Sequence, residues 1–222
     1  MGIAQLFIWI ARGIAVLLVV AVHEYIKARV STSLGDPKPK MQGRLTINPL
    51  KHFEPIGFII MLVFFYGWGK PVETTATYYK DRKWGTVLTY TAPIIGCLVF
   101  GGTAAALYML AAPLFLELVM SSGVLAGPNA GTILPIMLLP LTTLSWISLY
   151  SFTFALFNLI PVHPLDGSKI LSAFLNPNQV IKMNSLEKIF LMILVFLIVG
   201  GIVGRILTPV ALILRRSIGI PI

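Results

Sequence analysis

The chain has 222 residues; 57% are A, V, I, L, M, F, W, Y or C, only 11% are charged, and the mean hydropathy is +0.88. Soluble domains run about 45–50% apolar and about 25% charged, so a disordered chain, a coiled coil and an ordinary cytosolic enzyme are excluded together. The net charge is +9, but the basic residues cluster in loops between apolar runs, which points to anionic lipid headgroups as partners and not to nucleic acid.

A membrane span needs about 20 mostly apolar residues, and the chain offers five apolar stretches. The first runs from Ile3 to Leu34. Its apolar core continues into His23-Glu24-Tyr25 with no small-residue cleavage site, so it reads as a retained span, not a signal peptide. Gly43 to Asn48 alternates in a strand-like way and predicts a short β-hairpin. The second stretch, Ile56 to Trp68, is too short to cross and predicts a re-entrant or interfacial segment. The third, Trp84 to Val119, contains Pro93, Pro113 and the single cysteine, Cys97, which excludes an internal disulfide and reads as a small buried residue. The fourth, Thr132 to Ile160, carries small hydroxyl residues suited to close helix packing. The fifth, Ile189 to Leu214, holds a Gly200-x-x-x-Gly204 pair. Together they predict one all-α integral membrane domain over residues 1–222, with about four transmembrane helices, a re-entrant segment and a short β-hairpin.

Of the 17 basic residues, ten run from Lys27, at the end of the first span, to Lys83, before the third, and three follow the fourth, against Arg12, Arg205, Arg215 and Arg216 elsewhere. The two large loops are therefore expected on the cytoplasmic side, with both termini outward, although the Arg215-Arg216 pair runs against the rule.

Ionisable groups inside an apolar helix are costly and usually functional. His23, Glu24 and Lys27 lie near the cytoplasmic end of the first span, and residues i and i+4 share a helix face. The zinc-hydrolase pattern His-Glu-x-x-His uses that spacing for two metal imidazoles and a general base. Here the pattern reads His23-Glu24-Tyr25-Ile26-Lys27, with an ammonium in place of the second imidazole. Far along the chain, Asn158-Leu159-Ile160-Pro161 breaks a span and is followed by Leu165-Asp166-Gly167, whose carboxylate is the only one between Glu117 and Glu187.

These two constellations, together with Leu34-Gly35-Asp36-Pro37, the run from Gly43 to His52 (GRLTINPLKH), Pro55-Ile56-Gly57 and Gly69-Lys70-Pro71-Val72, resemble the site-2 protease family of intramembrane zinc metalloproteases in its short prokaryotic form. The resemblance covers residues 22–171 and leaves 186–214 as an additional C-terminal transmembrane helix. It implies a three-helix core, zinc held by two histidines and an aspartate, and cleavage of transmembrane substrates near the cytoplasmic face. His23 and Asp166 match zinc ligands and Glu24 the general base, while Lys27 stands where the second zinc histidine belongs. Arg44, Thr46, Asn48 and Asn158 match positions expected to meet a substrate or partner, and His52 is expected as an interfacial anchor. In Thr91-Ala92-Pro93-Ile94-Ile95-Gly96, Gly96 falls near the family's substrate-holding asparagine.

Two function classes follow. In the first, Lys27 fills the place of the metal and pairs with Asp166 and Glu24, since a protonated amine has no lone pair for a ligand bond. The protein then binds no cofactor and is a catalytically degenerate binder of transmembrane segments or an accessory subunit of a membrane complex. In the second it is an active zinc intramembrane protease that uses His23, Asp166 and a nonstandard ligand such as His163. Either way its partners are lipids and transmembrane helices, and its expected place is the cytoplasmic membrane of a prokaryote.

Overall fold

The computed structural model describes residues 2–217 apart from the side chains of Arg215 and Ser217, so the outward placement expected for the Arg215 side chain lies outside the described residues. Ten helices follow one another: α1 (Ile3–Ser33), α2 (Lys38–Met41), α3 (Pro55–Phe64), α4 (Arg82–Ser121), α5 (Ala130–Met137), α6 (Leu139–Asn158), α7 (Asp166–Ser172), α8 (Pro177–Ser185), α9 (Glu187–Val199) and α10 (Ile202–Ser217). Three of them, α1, α4 and α6, are long and apolar enough to cross a membrane, and the α9–α10 pair, bent by 68°, would make a fourth crossing if taken as one span.

The chemistry of the helix ends explains the boundaries. Asp81 accepts from Trp84 N–H at 3.0 Å to start α4, and Asn176 with Gln179 forms a capping box on α8. Gly35, at φ 105°, turns the chain away from α1, a conformation that favours glycine. Pro93 and Pro113 lie inside α4, which continues through both.

Helices α1, α4 and α6 pack together around Val16, Val19, Ile94, Cys97, Tyr150 and Phe154, all buried. In a membrane such contact is driven by van der Waals packing and close backbone approach. A Cβ on Gly101 of α4 would lie 2.9 Å from Ser151 Cβ of α6, so these two helices meet where one side has no side chain.

Helix α3 is apolar but only ten residues long, below the length of a span. It begins at the level of Val20, where Glu54 accepts from Gly57 N–H and Pro55 occupies the first turn. It ends at Phe65, a non-glycine residue at φ 71°. The chain then returns without regular structure, Gly67 and Trp68 against Gly57 and Gly69 against Val20, to reach Glu24 of α1 at Val72. At the turn the guanidinium of Arg12 donates to Leu62 O and, from Nε, to Tyr150 Oη at 3.0 Å. It also faces the rings of Trp9, Phe65 and Trp146 with centroids 4.5, 4.6 and 5.0 Å away.

One expectation is corrected. The β-hairpin expected over Gly43 to Asn48 is absent: no described residue there is in a strand, and the segment is a turn followed by bends. Its polar groups bond locally instead, Asn48 Oδ1 accepting from Leu50 N–H and Thr46 Oγ1 from Asn48 N–H, and such bonds compete with a ladder. Over the stretch 186–214 the chain forms α9 and the bulk of α10 with a bend between them. Gly200 and Gly201 form the break, with Gly201 at φ 73°, so the glycines bend the chain.

Candidate functional site

The site assembles from the last third of α1, the first residue of α7 and the arm that returns from α3. His23, Glu24 and Lys27 stand on the buried face of α1, and Asp166 opens α7 just after the break that ends α6. All four are at least 95% buried. Lys27 Nζ lies 2.7 Å from Asp166 Oδ1 and 2.9 Å from Glu24 Oε1. It also faces the ring of Tyr90, 5.5 Å from the centroid, and Tyr90 Oη is 2.9 Å from Thr74 Oγ1. Glu24 Oε2 accepts from Val72 N–H at 2.7 Å.

His23 completes a ring of contacts. Its Nδ1 is 3.2 Å from Glu24 Oε1 and its Nε2 is 3.2 Å from Asp166 Oδ2. A carboxylate only accepts, so Nδ1 is the donor to Glu24. The second pair is within ion-pair distance, yet neither Nε2 nor Oδ2 makes a hydrogen bond. Phe154 of α6 packs edge-on against the imidazole, with centroids 4.9 Å apart. A cavity of about 210 Å³ opens beside the site, lined by Glu24, Lys27 and Asp166 together with residues that include Asn158, Pro164 and Leu191.

The family that the motifs resemble holds zinc, and the donors can be tested against that ion. His23 Nε2 and Asp166 Oδ2 are two buried, facing, unbonded donor atoms, as two ligands of one ion would be. A protein zinc site of this kind takes three ligands, and the third position carries the Lys27 ammonium. Among the described residues no group of three His, Cys, Asp or Glu side chains could hold a metal. The set present is therefore two donors and a cation, which does not make a three-ligand zinc site.

His163 stands apart from this set. Its Nε2 is 2.6 Å from Glu187 Oε1 at the start of α9. Burial pushes the His163 imidazole below its ordinary pKa; Lys169 acts in the same direction and Glu187 against it. Gly96 lies against Ile26 of α1, whose Cδ1 a Cβ there would overlap, so a larger side chain at the spot near the expected asparagine requires the end of Ile26 to shift.

Of the positions matched to substrate or partner contact, Asn158 borders the cavity and donates from Nδ2 to Phe154 O at 2.9 Å. Thr46 and Asn48 lie in the bends described above. Arg44 is buried, its Nη2 donating to Lys70 O and, at 3.2 Å, to His52 Nδ1. His52 is not an interfacial anchor: it is fully buried. Since an arginine only donates, His52 Nδ1 accepts and its Nε2–H donates to Thr46 O at 2.8 Å. Burial pushes the His52 pKa down, which suits this neutral form. Sequence reasoning placed Val72 in a motif, Gly69-Lys70-Pro71-Val72, but gave it no role, since it contributes only a main-chain N–H; it missed Tyr90, an ordinary aromatic in an apolar helix.

A family model described as peptidase family M50 matches residues 55–201. Over 196 residues the chain is 30% identical to the protein named "Putative zinc metalloprotease YwhC" of Bacillus subtilis (strain 168), covering 88% of this chain and 83% of that one. No solved structure matches the chain.

Proposed function

The chain belongs to peptidase family M50, the site-2 proteases, and from that premise we propose that it is a member in which Lys27 supplies the positive charge that zinc supplies elsewhere. It then binds transmembrane segments, alone or as a subunit of a membrane complex, without hydrolysing them. The observation that carries this reading is the contact of one buried ammonium with both carboxylates of the site, Asp166 at 2.7 Å and Glu24 at 2.9 Å. An ammonium held by two carboxylates keeps its proton and offers no lone pair. Glu24 is also engaged at both oxygens, Oε1 by Lys27 and His23 and Oε2 by Val72 N–H, so taking a proton from water would require one of these contacts to break. The cavity beside the site is where an unwound segment of a partner helix would enter. The excess of Lys and Arg in the loops around α2, α3 and α8 supports a site at the cytoplasmic face of a prokaryotic membrane, with residues 55–72 re-entrant from that side.

A second reading, an active zinc protease, has one observation of its own: His23 Nε2 and Asp166 Oδ2 face each other unbonded. The name of the Bacillus relative agrees with it. Zinc per chain separates the two readings. The unmodified protein purified without chelator should carry far less than one zinc, Lys27→His should approach one, and Lys27→His with Asp166→Asn should lose it. One tightly held zinc in the unmodified protein, removed by Asp166→Asn or by His163→Ala, overturns the proposal in favour of the protease.

A further inference from the structure

The segment that carries Val72 is gripped at both of its main-chain groups two residues before the site. Lys70 O accepts from Arg44 Nη2, and Lys70 N–H donates to His52 O at 2.9 Å. The same Arg44 Nη2 reaches His52 Nδ1, and His52 Nε2–H reaches Thr46 O. Both side chains are buried, so neither presents a surface for a partner. The closed loop of contacts fastens residues 44–52 to Lys70. Val72 then stands where its N–H meets Glu24 Oε2 at 2.7 Å. Further along, Thr75 N–H donates at 2.6 Å to Asp36 Oδ2, which also accepts from Ser31 Oγ at 2.8 Å. The arm is thus fixed on each side of Val72.

We infer that Arg44 and His52 are positioning residues for Glu24: by holding Lys70 they place the Val72 N–H on the carboxylate and so set the direction in which Glu24 faces Lys27 and His23. This differs from the substrate contact that their motif implies for Arg44. It does not rest on the reading of Lys27, because the Val72 contact uses the carboxylate oxygen that Lys27 leaves free, whichever cation occupies the site.

Both contacts leave one nitrogen, Arg44 Nη2, whose two N–H bonds are held in the guanidinium plane toward a carbonyl and an imidazole nitrogen. A lysine at position 44 carries enough donors but on a shorter, freely rotating head with no fixed plane, so it holds the same two partners less firmly.

Amide hydrogen exchange of the full chain in lipid nanodiscs tests this, with the peptide containing Val72 as reporter. Arg44→Gln should speed exchange there about tenfold or more, while peptides from α4 and α6 keep their rates. Arg44→Lys should fall between Arg44→Gln and the unmodified chain. Glu24→Ala, which leaves no side-chain acceptor, should speed the same amide, and Arg44→Gln combined with Glu24→Ala should add little to either alone, because both remove one contact. If Arg44→Gln does not fold, His52→Asn, which keeps the main-chain acceptor for Lys70, should speed the Val72 peptide several-fold. Unchanged exchange of that peptide in a folded Arg44→Gln protein, equal acceleration across every peptide, or full additivity with Glu24→Ala would each overturn the inference.

Discussion

Helix α1 buries two cations and treats them in opposite ways. Lys27, near its C-terminal end, touches two carboxylates and the face of one ring. Arg12, near its N-terminal end, is 8% exposed and takes part in no ion pair among the described residues. It is held by one carbonyl, one hydroxyl and three aromatic faces. A compact ammonium is strongly hydrated and needs full opposite charges when water is removed. A broad guanidinium is weakly hydrated, stacks on rings and can be satisfied by partial charges. The Leu62 carbonyl belongs to the last turn of α3, where unpaired carbonyls and the helix dipole both favour a cation. One helix thus shows a neutralised charge at one end and a solvated charge without counter-ion at the other.

The contrast can be broken by experiment. Lys27→Ala should have the largest effect, because it leaves two carboxylates buried against each other; loss of a buried partner costs about 3–5 kcal/mol. Unfolding in detergent should show this, with Lys182→Ala, on a solvated loop, within about 0.5 kcal/mol of the parent. Arg12→Met should cost less, about 1–3 kcal/mol, since it leaves only dipoles unpaired. If Arg12→Met proves as harmful as Lys27→Ala, the distinction between neutralised and dipole-held cations fails. Tyr150→Phe removes one donor–acceptor contact of Arg12 and should cost about 0.5–1.5 kcal/mol. The smallest effect belongs to His163. Its folded pKa lies below its ordinary value, so its contribution is present above the unfolded pKa of about 6.5 and is lost as pH falls through the folded value. Between pH 7.5 and 5, melting of the unmodified protein should drop slightly more than that of His163→Gln. An equal drop would mean that His163 is not displaced by its burial.

The sequence made the Lys27 end legible and left the Arg12 end dark. His23, Glu24, Lys27 and Asp166 stand out because each is ionisable in an apolar background, and helical spacing alone puts Lys27 beside His23. Arg12 is just as anomalous, but its partners are Leu62, Phe65, Trp146 and Tyr150, none of which differs in type from its apolar neighbours. Val72 was legible as the end of the Gly69-Lys70-Pro71-Val72 motif, but its contact with Glu24 was not, because a main-chain N–H has no signature in a sequence. The strand-like alternation of Gly43 to Asn48 misled because Thr46, Asn48 and His52 spend their polar groups on the local backbone. The sequence shows Gly200 and Gly204 on the last stretch, but nothing in it marks the adjacent pair Gly200-Gly201 as the point where the chain bends.

The glycines of the excursion between α3 and Val72 set a last condition. A Cβ on Gly57 would overlap Trp68 O, and one on Gly67 would overlap Gly57 O and lie 2.8 Å from Met61 Cβ. The outgoing helix and the returning strand of chain therefore touch backbone to backbone, with hydrogens where other proteins have side chains. Neither arm can slide along the other, since a shift of one residue brings Phe58 or Trp68 to a place that admits only glycine. The excursion is in effect a bolt of fixed length whose reach is cut by its own two arms, and Arg12 receives the tip of a part already made to measure.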